Sequence, residues 1–315
     1  MKSHQHSQRG IALLTALLIM ALLVIVAMTL AYQQQLEVRR TATLIHNEQA
    51  YQYALAVEAF AISVLNDDRK NNEVDHLEED WATLSPVMPI ENGEVTGKLE
   101  DLQGRFNLNT LLVSNQADPI ALLRFQALLE QFDMDPNNVF AVVDWLDTDG
   151  IQNGPYGAED DFYLGLETSY LSANRFFSDV SELRLVKGFN VANFKLLAEH
   201  LSALPTATSI NINTASASVI EALGASAADS QSLTRQLPKN PEQISAESRE
   251  HFKSVSEFLT EARTISSEQG LSVNSEYFLL TAQTRFAGGK ALLKSVLHRN
   301  NNGQLRVISR NLSPD

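Results

Sequence analysis

Between Ile11 and Ala31 the chain carries no charge, and its only polar side chains are Thr15 and Thr29. At a helical rise of 1.5 Å per residue the run spans about 31 Å, the thickness of a bilayer's hydrocarbon core. A secretory signal has a shorter apolar region of roughly 7–15 residues with a small-x-small cleavage site after it, and no such site follows here. The run passes instead into QQQLEVRRTATLIHNEQAYQYALAVEAFAISVL, where Leu36, Leu44, Ala50, Tyr51, Ala54, Leu55, Phe60, Ala61, Val64 and Leu65 recur at helical spacing. Neither Gly nor Pro interrupts the chain from Ile11 to Leu65. The pattern predicts one helix over residues 11–66, on the order of 80 Å long, transmembrane over 11–31 and amphipathic beyond.

Gly10 stands before the apolar run rather than after it. A cut between Gly10 and Ile11 therefore leaves the whole membrane helix on the mature protein. Arg9-Gly10-Ile11 and the run behind it resemble the prepilin-type signal of type IV pilins and pseudopilins. The alternative is an ordinary signal anchor with a coincidental glycine. The resemblance implies that residues 1–10 are a leader removed by prepilin peptidase, and that the new amine on Ile11 is methylated. It also implies a leader in the cytoplasm and a body in the periplasm, outside the inner membrane. Charge alone gives little orientation: Lys2 and Arg9 precede the span, and Arg39 and Arg40 follow it, partly offset by Glu37. One position departs from the family pattern. The Glu five residues after the cut, whose carboxylate meets the amine of a neighbouring subunit within lipid, is replaced by Thr15. A subunit without that carboxylate suits the filament tip, where it has no such partner to neutralise. The plainer reading is that Thr15 bonds its own helix backbone.

With 315 residues the chain has room for two compact units beyond the helix, and with no cysteine it has neither disulfides nor thiolate metal sites. Its formal charge of −14 makes it a poor general binder of phosphate backbones. The stretch MPIENGEVTGKLEDLQGRFNLNTL reads as strands, with Asn92-Gly93 as a hairpin signal and short extended pieces around Leu102, Phe106 and Leu108. At the far end, SEYFLLTAQTRFAGGKALLKSVLHRNNNGQLRVISRNL reads as three strands with turns at Gly288-Gly289 and Asn302-Gly303. These pieces, residues 67–110 and 270–315, form one head sheet packed on the amphipathic half of the helix.

Residues 111–269 carry helical punctuation instead. Asp118-Pro119 opens one helix, DPNNVFAVVDWLD is another, and Asp179 or Ser178 with Glu182 forms a capping box before a stop at Gly188. NVANFKLLAEHL follows, and Ser254 with Glu257 repeats the capping pattern. FNLNTL at 106–111 and ININTA at 210–215 match each other and mark the entrances to two successive helical units, over about 111–205 and 206–269. ASASVIEALG is a helix closed by Gly224, and Leu237–Glu250 reads as an exposed connection. The fold class is thus α+β: a long N-terminal helix on a small antiparallel sheet, with a large inserted all-α domain.

The negative charge concentrates between Phe125 and Asn174, a window without Lys, Arg or His. Its densest part holds Asp144, Asp147, Asp149, Glu159, Asp160 and Asp161, and GIQNGPYG between them is a turn-rich loop that can fold the two groups together. Converging carboxylates repel unless a cation sits among them, and hard oxygen ligands on a flexible loop suit calcium. The spacing is not that of an EF-hand, because with Asp147 as first ligand Gly150 comes too early and the twelfth position is Ala158. A solvated acidic loop and a catalytic carboxylate pair are the competing readings. The latter needs an aromatic-lined cleft, and aromatic residues make up only 7% of the chain. The seven histidines are scattered, and no zinc-protease, nucleophile-elbow or phosphate-loop motif occurs.

Beyond the signal, DLQGRFNLNTL, VVDWLDTDG, GAEDDFY, SELRLVKG, ININTASASVIEALG and SEYFLL, in that order, resemble the type II secretion minor pseudopilin K. This resemblance implies a non-enzymatic filament-tip component for export of folded proteins across the outer membrane. It further implies minor pseudopilins I and J as partners and a structural calcium in the helical insert. The alternatives are a minor pilin of a type IV pilus or competence system, and a membrane-anchored carboxylate hydrolase. SELRLVKGFN with ININTASASVIEALG is also similar to helix-hairpin-helix pieces. There, however, Asn190 replaces the second glycine and the surroundings are acidic, so no nucleic-acid partner is expected.

Overall fold

The computed structural model of the protein describes residues 8–83, 87–235, 250–265, 267–300 and 302–313. The connection expected over Leu237–Glu250 therefore lies, but for its last residue, outside the described residues.

Helix α1, Gln8–Asn71, is one unbroken rod of 64 residues. Its most apolar window has a mean hydropathy of 3.1, and none of that window is buried. Thr15 and Thr29 satisfy their hydroxyls inside the rod, donating to Ala12 O at 3.0 Å and Ile25 O at 2.9 Å. The rod also runs past Leu65, where the polar run NDDRKNN was expected to end it. Arg69 and Lys70 in the last turn complement the negative end of the helix dipole and let the helix continue.

The C-terminal part of α1 lies on a five-stranded antiparallel sheet in simple sequential order. Its strands are β1 Met88–Ile90, β2 Gly93–Asp101, β3 Tyr277–Phe286, β4 Gly289–Arg299 and β5 Leu305–Ser313. Ala54, Val57, Ala61 and Leu65 of α1, at helical spacing, meet Val95, Leu99, Phe278, Leu280, Ala282, Leu293 and Leu297 from alternate positions of the strands. The apolar side chains from Ile11 to Ile45 stand clear of this core. The burial also fixes a charge inside: Glu58 of α1 accepts from Ser295 Oγ at 2.5 Å and from both Arg310 Nε and Nη2, at 2.9 and 2.7 Å. Burial alone would raise its carboxyl, but the Arg310 and Ser295 hydrogen bonds and the Arg310 charge together hold it below the ordinary value.

The hairpin turn between β3 and β4 is Ala287-Gly288, both with positive φ, not Gly288-Gly289. Gly289 already belongs to β4 and faces the helix; a Cβ there would sit 2.5 Å from the backbone carbon of His46. Glycine is required at that point by the close approach of α1, not by the turn. Between β1 and β2 the two-residue turn is Glu91-Asn92, with Asn92 at φ 62, and Gly93 pairs with Ile90.

The chain leaves the sheet after Asp101 and returns at Tyr277, on neighbouring strands: Asp101 and Phe278 are partners in the β2–β3 ladder. Between them lies a helical body with its own apolar core. After a four-residue helix α2, Asp80–Thr83, the described residues of the insert contribute seven more helices. These are α3 Pro119–Gln131, α4 Val139–Leu146, α5 Asp160–Leu164, α6 Val191–Leu197, α7 Ala217–Ala222, α8 Ala227–Leu233 and α9 Val255–Glu261. Leu108, read from the sequence as part of an extended piece, starts a 3-10 turn over Leu108–Leu111 because the Asn107 side chain caps it. The capping box of Asp179 and Glu182 forms as expected, on a 3-10 turn over Val180–Leu185.

One bonding scheme occurs twice in the insert. Asn107 Oδ1 accepts from Asn109 N, and the Asn109 amide holds the backbone of Phe177 from both sides, donating to Phe177 O at 2.9 Å and accepting from Phe177 N at 2.8 Å. Asn211 Oδ1 accepts from Asn213 N, and Asn213 holds Phe252 O at 2.9 Å and Phe252 N at 2.8 Å. Each first Asn ends a two-residue parallel bridge, Phe106–Asn107 with Leu201–Ser202 and Ile210–Asn211 with Leu271–Ser272. Where insert meets head, the buried carboxylate of Asp101 gathers Gln103 N, Asn211 Nδ2, Thr214 Oγ1 and Ser275 Oγ. Beside it Arg299 bonds Asp75 and reaches Asp68, so that carboxylate pair is already met by a cation.

Candidate metal centre

Helix α4 is apolar on nearly every face, which carries the two acids at its C-terminal end into the interior. Asp144, fully buried, and Asp147, the residue that caps α4, lie three apart on one helix face. The loop that follows turns back, so that Glu159, which precedes α5, meets them. Ligand oxygens of Asp144, Asp147 and Glu159 all lie within 4.8 Å of one another, and all three residues are buried.

Asp144 is the post on which the loop is hung. Its carboxylate accepts from Asn153 N at 3.1 Å, from Asn153 Nδ2 at 2.6 Å and from Ala158 N at 2.6 Å. Gly157 lets the chain pass this close, since a Cβ there would fall 2.2 Å from Asp144 Oδ2. Lys187 ties the same turn from outside, donating from Nζ to Gly157 O at 2.9 Å with the ammonium 5.1 Å from the centre of the Phe162 ring. Ser172 Oγ donates to Glu159 Oε2 at 3.4 Å.

Of the six acids in the sequence motif, the structure brings these three together, and the other three make contacts of their own. Asp149 is exposed and turns back on its own loop to accept from Ile151 N. Asp160 accepts from Ser172 N at 2.9 Å, which anchors the next loop. Asp161 is exposed on the first turn of α5. Glu159 is the extended residue before α5, and Asp160 and Asp161 open the helix about 100° apart, so the three cannot all face one point. Asn153, Gly157, Ser172 and Lys187 were not singled out by sequence for this site. Of these, only Asn153 and Gly157 carried a signal, lying in the turn-rich stretch between the acid groups.

The electrostatics are adverse as they stand. Burial, joined by the charges of Asp149 and Asp144, pushes Asp147 up to about 6. Burial with Asp144 and Asp147 beside it pushes Glu159 up to about 7, and burial raises Asp144 against the donors from Asn153 and Ala158. Among the described residues no Lys, Arg or His forms an ion pair with any of the three. Asp147 Oδ1 and Glu159 Oε1 are buried without a hydrogen-bond partner. Buried, unpartnered, converging carboxylate oxygens are the donor set a hard cation completes, and they fit calcium rather than a metal that favours nitrogen or sulfur.

Comparison with known proteins assigns the chain. It is 35% identical to the type II secretion system protein K of Pseudomonas aeruginosa, over 98% of this chain and 94% of that relative. The chain belongs to the type II secretion system protein K family. The family described as "Type II secretion system (T2SS), protein K" matches residues 104–206, the stretch that holds Asp144, Asp147 and Glu159. The protein K of Aeromonas hydrophila is 37% identical over 66% of this chain and 67% of its own length. Among solved structures, the GspK-GspI-GspJ complex from enterotoxigenic Escherichia coli contains a similar chain. It has a TM-score of 0.75 and 26% identity, and the match covers 88% of this chain and 100% of that one. Membership of this family decides for the secretion reading over the type IV pilus reading. The fold match extends over 88% of this chain, a long N-terminal helix on a small antiparallel sheet with a helical insert.

Proposed function

We propose that this chain is the tip subunit of the type II secretion pseudopilus, a non-enzymatic part of the apparatus that exports folded proteins across the outer membrane. In this reading prepilin peptidase removes residues 1–10, and Ile11 becomes the methylated amino terminus. The apolar part of α1 sits in the inner membrane with the head and insert in the periplasm, and minor pseudopilins I and J bundle their helices against α1. The observation that carries the tip placement is Thr15. Its hydroxyl is satisfied by Ala12 O of its own helix, so it offers no carboxylate to the terminal amine of a neighbouring subunit. The relative in the Escherichia coli complex, solved with I and J, supports the choice of partners.

The acidic centre belongs to the same proposal. Asp144, Asp147 and Glu159 would hold calcium, which supplies the positive charge these oxygens lack and no reaction chemistry. The chain's own contribution is rigidity. Asp144 fixes the loop through Asn153 and Ala158, Ser172 and Lys187 brace it, and the bulky insert keeps one shape at the end of the filament.

Mass spectrometry of the native protein, co-purified in detergent, tests the reading directly. The expected species begins at a methylated Ile11 and carries I and J with it. A chain that retains Met1, or one that purifies without I and J while they associate with each other, overturns it.

A further inference from the structure

The segment after α1 and the second half of the insert meet at a pair of imidazoles. His76 and His251 lie face to face, ring centres 3.8 Å apart and planes 6° from parallel. A ring nitrogen of each and a carboxylate oxygen of Glu78 lie within 4.8 Å of one another. We infer that His76, His251 and Glu78 form a second metal site, for a divalent transition cation of the zinc type, which clamps the foot of α1 to the helical insert.

His76 Nδ1 accepts a long bond, 3.3 Å, from Glu78 N, which a cation at Nδ1 would displace. The Nε2 of the same ring faces Glu79 Oε1 at 3.7 Å. Glu79 is itself fixed, accepting from Asn72 Nδ2 at 2.7 Å, His76 N at 2.9 Å and Trp81 Nε1 at 2.7 Å.

Both histidines stand on firm ground. Asp75, next to His76, bonds Val273 O through its backbone and Arg299 through its side chain. Phe252, next to His251, is held on both sides by Asn213. Two nitrogens and one carboxylate oxygen, with water completing a tetrahedron, form a zinc-type set, and calcium does not favour imidazole. Ligands about 2.0–2.1 Å from zinc lie about 3.4 Å from each other. Closing from the observed spread needs one ring to swing out of the stack and the exposed Glu78 carboxylate to turn inward.

The test uses the full chain in detergent, stripped with chelator and saturated with calcium so that the acidic centre is filled. His4→Gln and His6→Gln are built in to remove the other closely spaced histidines. Titration calorimetry with zinc is expected to show one tight equivalent, and zinc X-ray absorption to show two imidazoles. His251→Gln, at a half-buried position, should weaken zinc at least 100-fold without changing calcium binding, and His76→Gln should do the same if it folds. Zinc bound as tightly by His251→Gln, an absorption spectrum without imidazole scattering, or no tight equivalent in the parent chain would each overturn the site.

Discussion

Asn109 holds the backbone of Phe177 by a donor–acceptor pair, and Asn213 holds Phe252 in the same way. Around these clamps the two halves of the insert match further, in the self-bonded first asparagine, the short parallel bridge and the cap after the clamped phenylalanine. They differ in what lies between clamp and phenylalanine. The first half places α4 and a loop with three converging carboxylates there, and the second places α7 and α8 and no such cluster among its described residues. A scaffold that folds the same way with and without the acids does not need them for its own core. The acids are an addition to the first half, and their purpose is sought in what they bind.

Removing the clamps strikes both halves hardest. Asn109→Ala and Asn213→Ala each strand a buried backbone donor and acceptor, so each should cost about 3 kcal/mol or more in denaturant unfolding of the full chain. A clamp whose loss is tolerated in one half alone would break the equivalence. Removing calcium alone, with the His76–His251 site held in one metal state, should act on one side only. Without calcium, hydrogen exchange is expected to rise across residues 144–172 and stay level around Phe252. Ligand linkage gives about 2.7 kcal/mol at 100 times the dissociation constant. Asp147→Asn should abolish that response and Asp161→Asn should leave it intact, which separates the three converged acids from the rest. Gly157→Ala pushes a methyl into the Asp144 carboxylate and should weaken calcium at least tenfold in a direct titration. The smallest effects are at the caps: Asp179→Ala and Ser254→Ala should each lower stability by about 1 kcal/mol, one in each half.

The head offers a contrast in pH. Glu58 is held below its ordinary value, so the unfolded chain binds its proton more readily than the folded one. Its contribution is therefore present above the unfolded carboxyl range and lost as pH falls through the lowered folded value. Arg310→Met should cost about 2 kcal/mol near neutrality and flatten this acid limb of the melting profile.

What could be read in advance follows the range of the interactions. The rod, the capping box at Asp179 and the helix opened by Asp118-Pro119 are set by residues within a turn or two of each other, and they stand in the structure. The acidic cluster was legible as a density of charge, but its membership was not. Which acids converge depends on the hundred-degree step along α5 and on Ser172, which claims Asp160 from across a loop. Gly289 looked like turn chemistry and proved to be clearance for α1, a demand made by a helix far away in sequence. The stack of His76 on His251 left no trace in the sequence, because it is made by two segments that only the closed fold brings together.

The insert departs and returns at adjoining rungs of the β2–β3 ladder. A chain in which residues 102–276 were exchanged for a tight two-residue reversal would keep every strand neighbour it has now, reduced to a plain meander beneath the rod. Entry and exit at that one place let a small platform carry a larger passenger while its own strand pairings stay continuous.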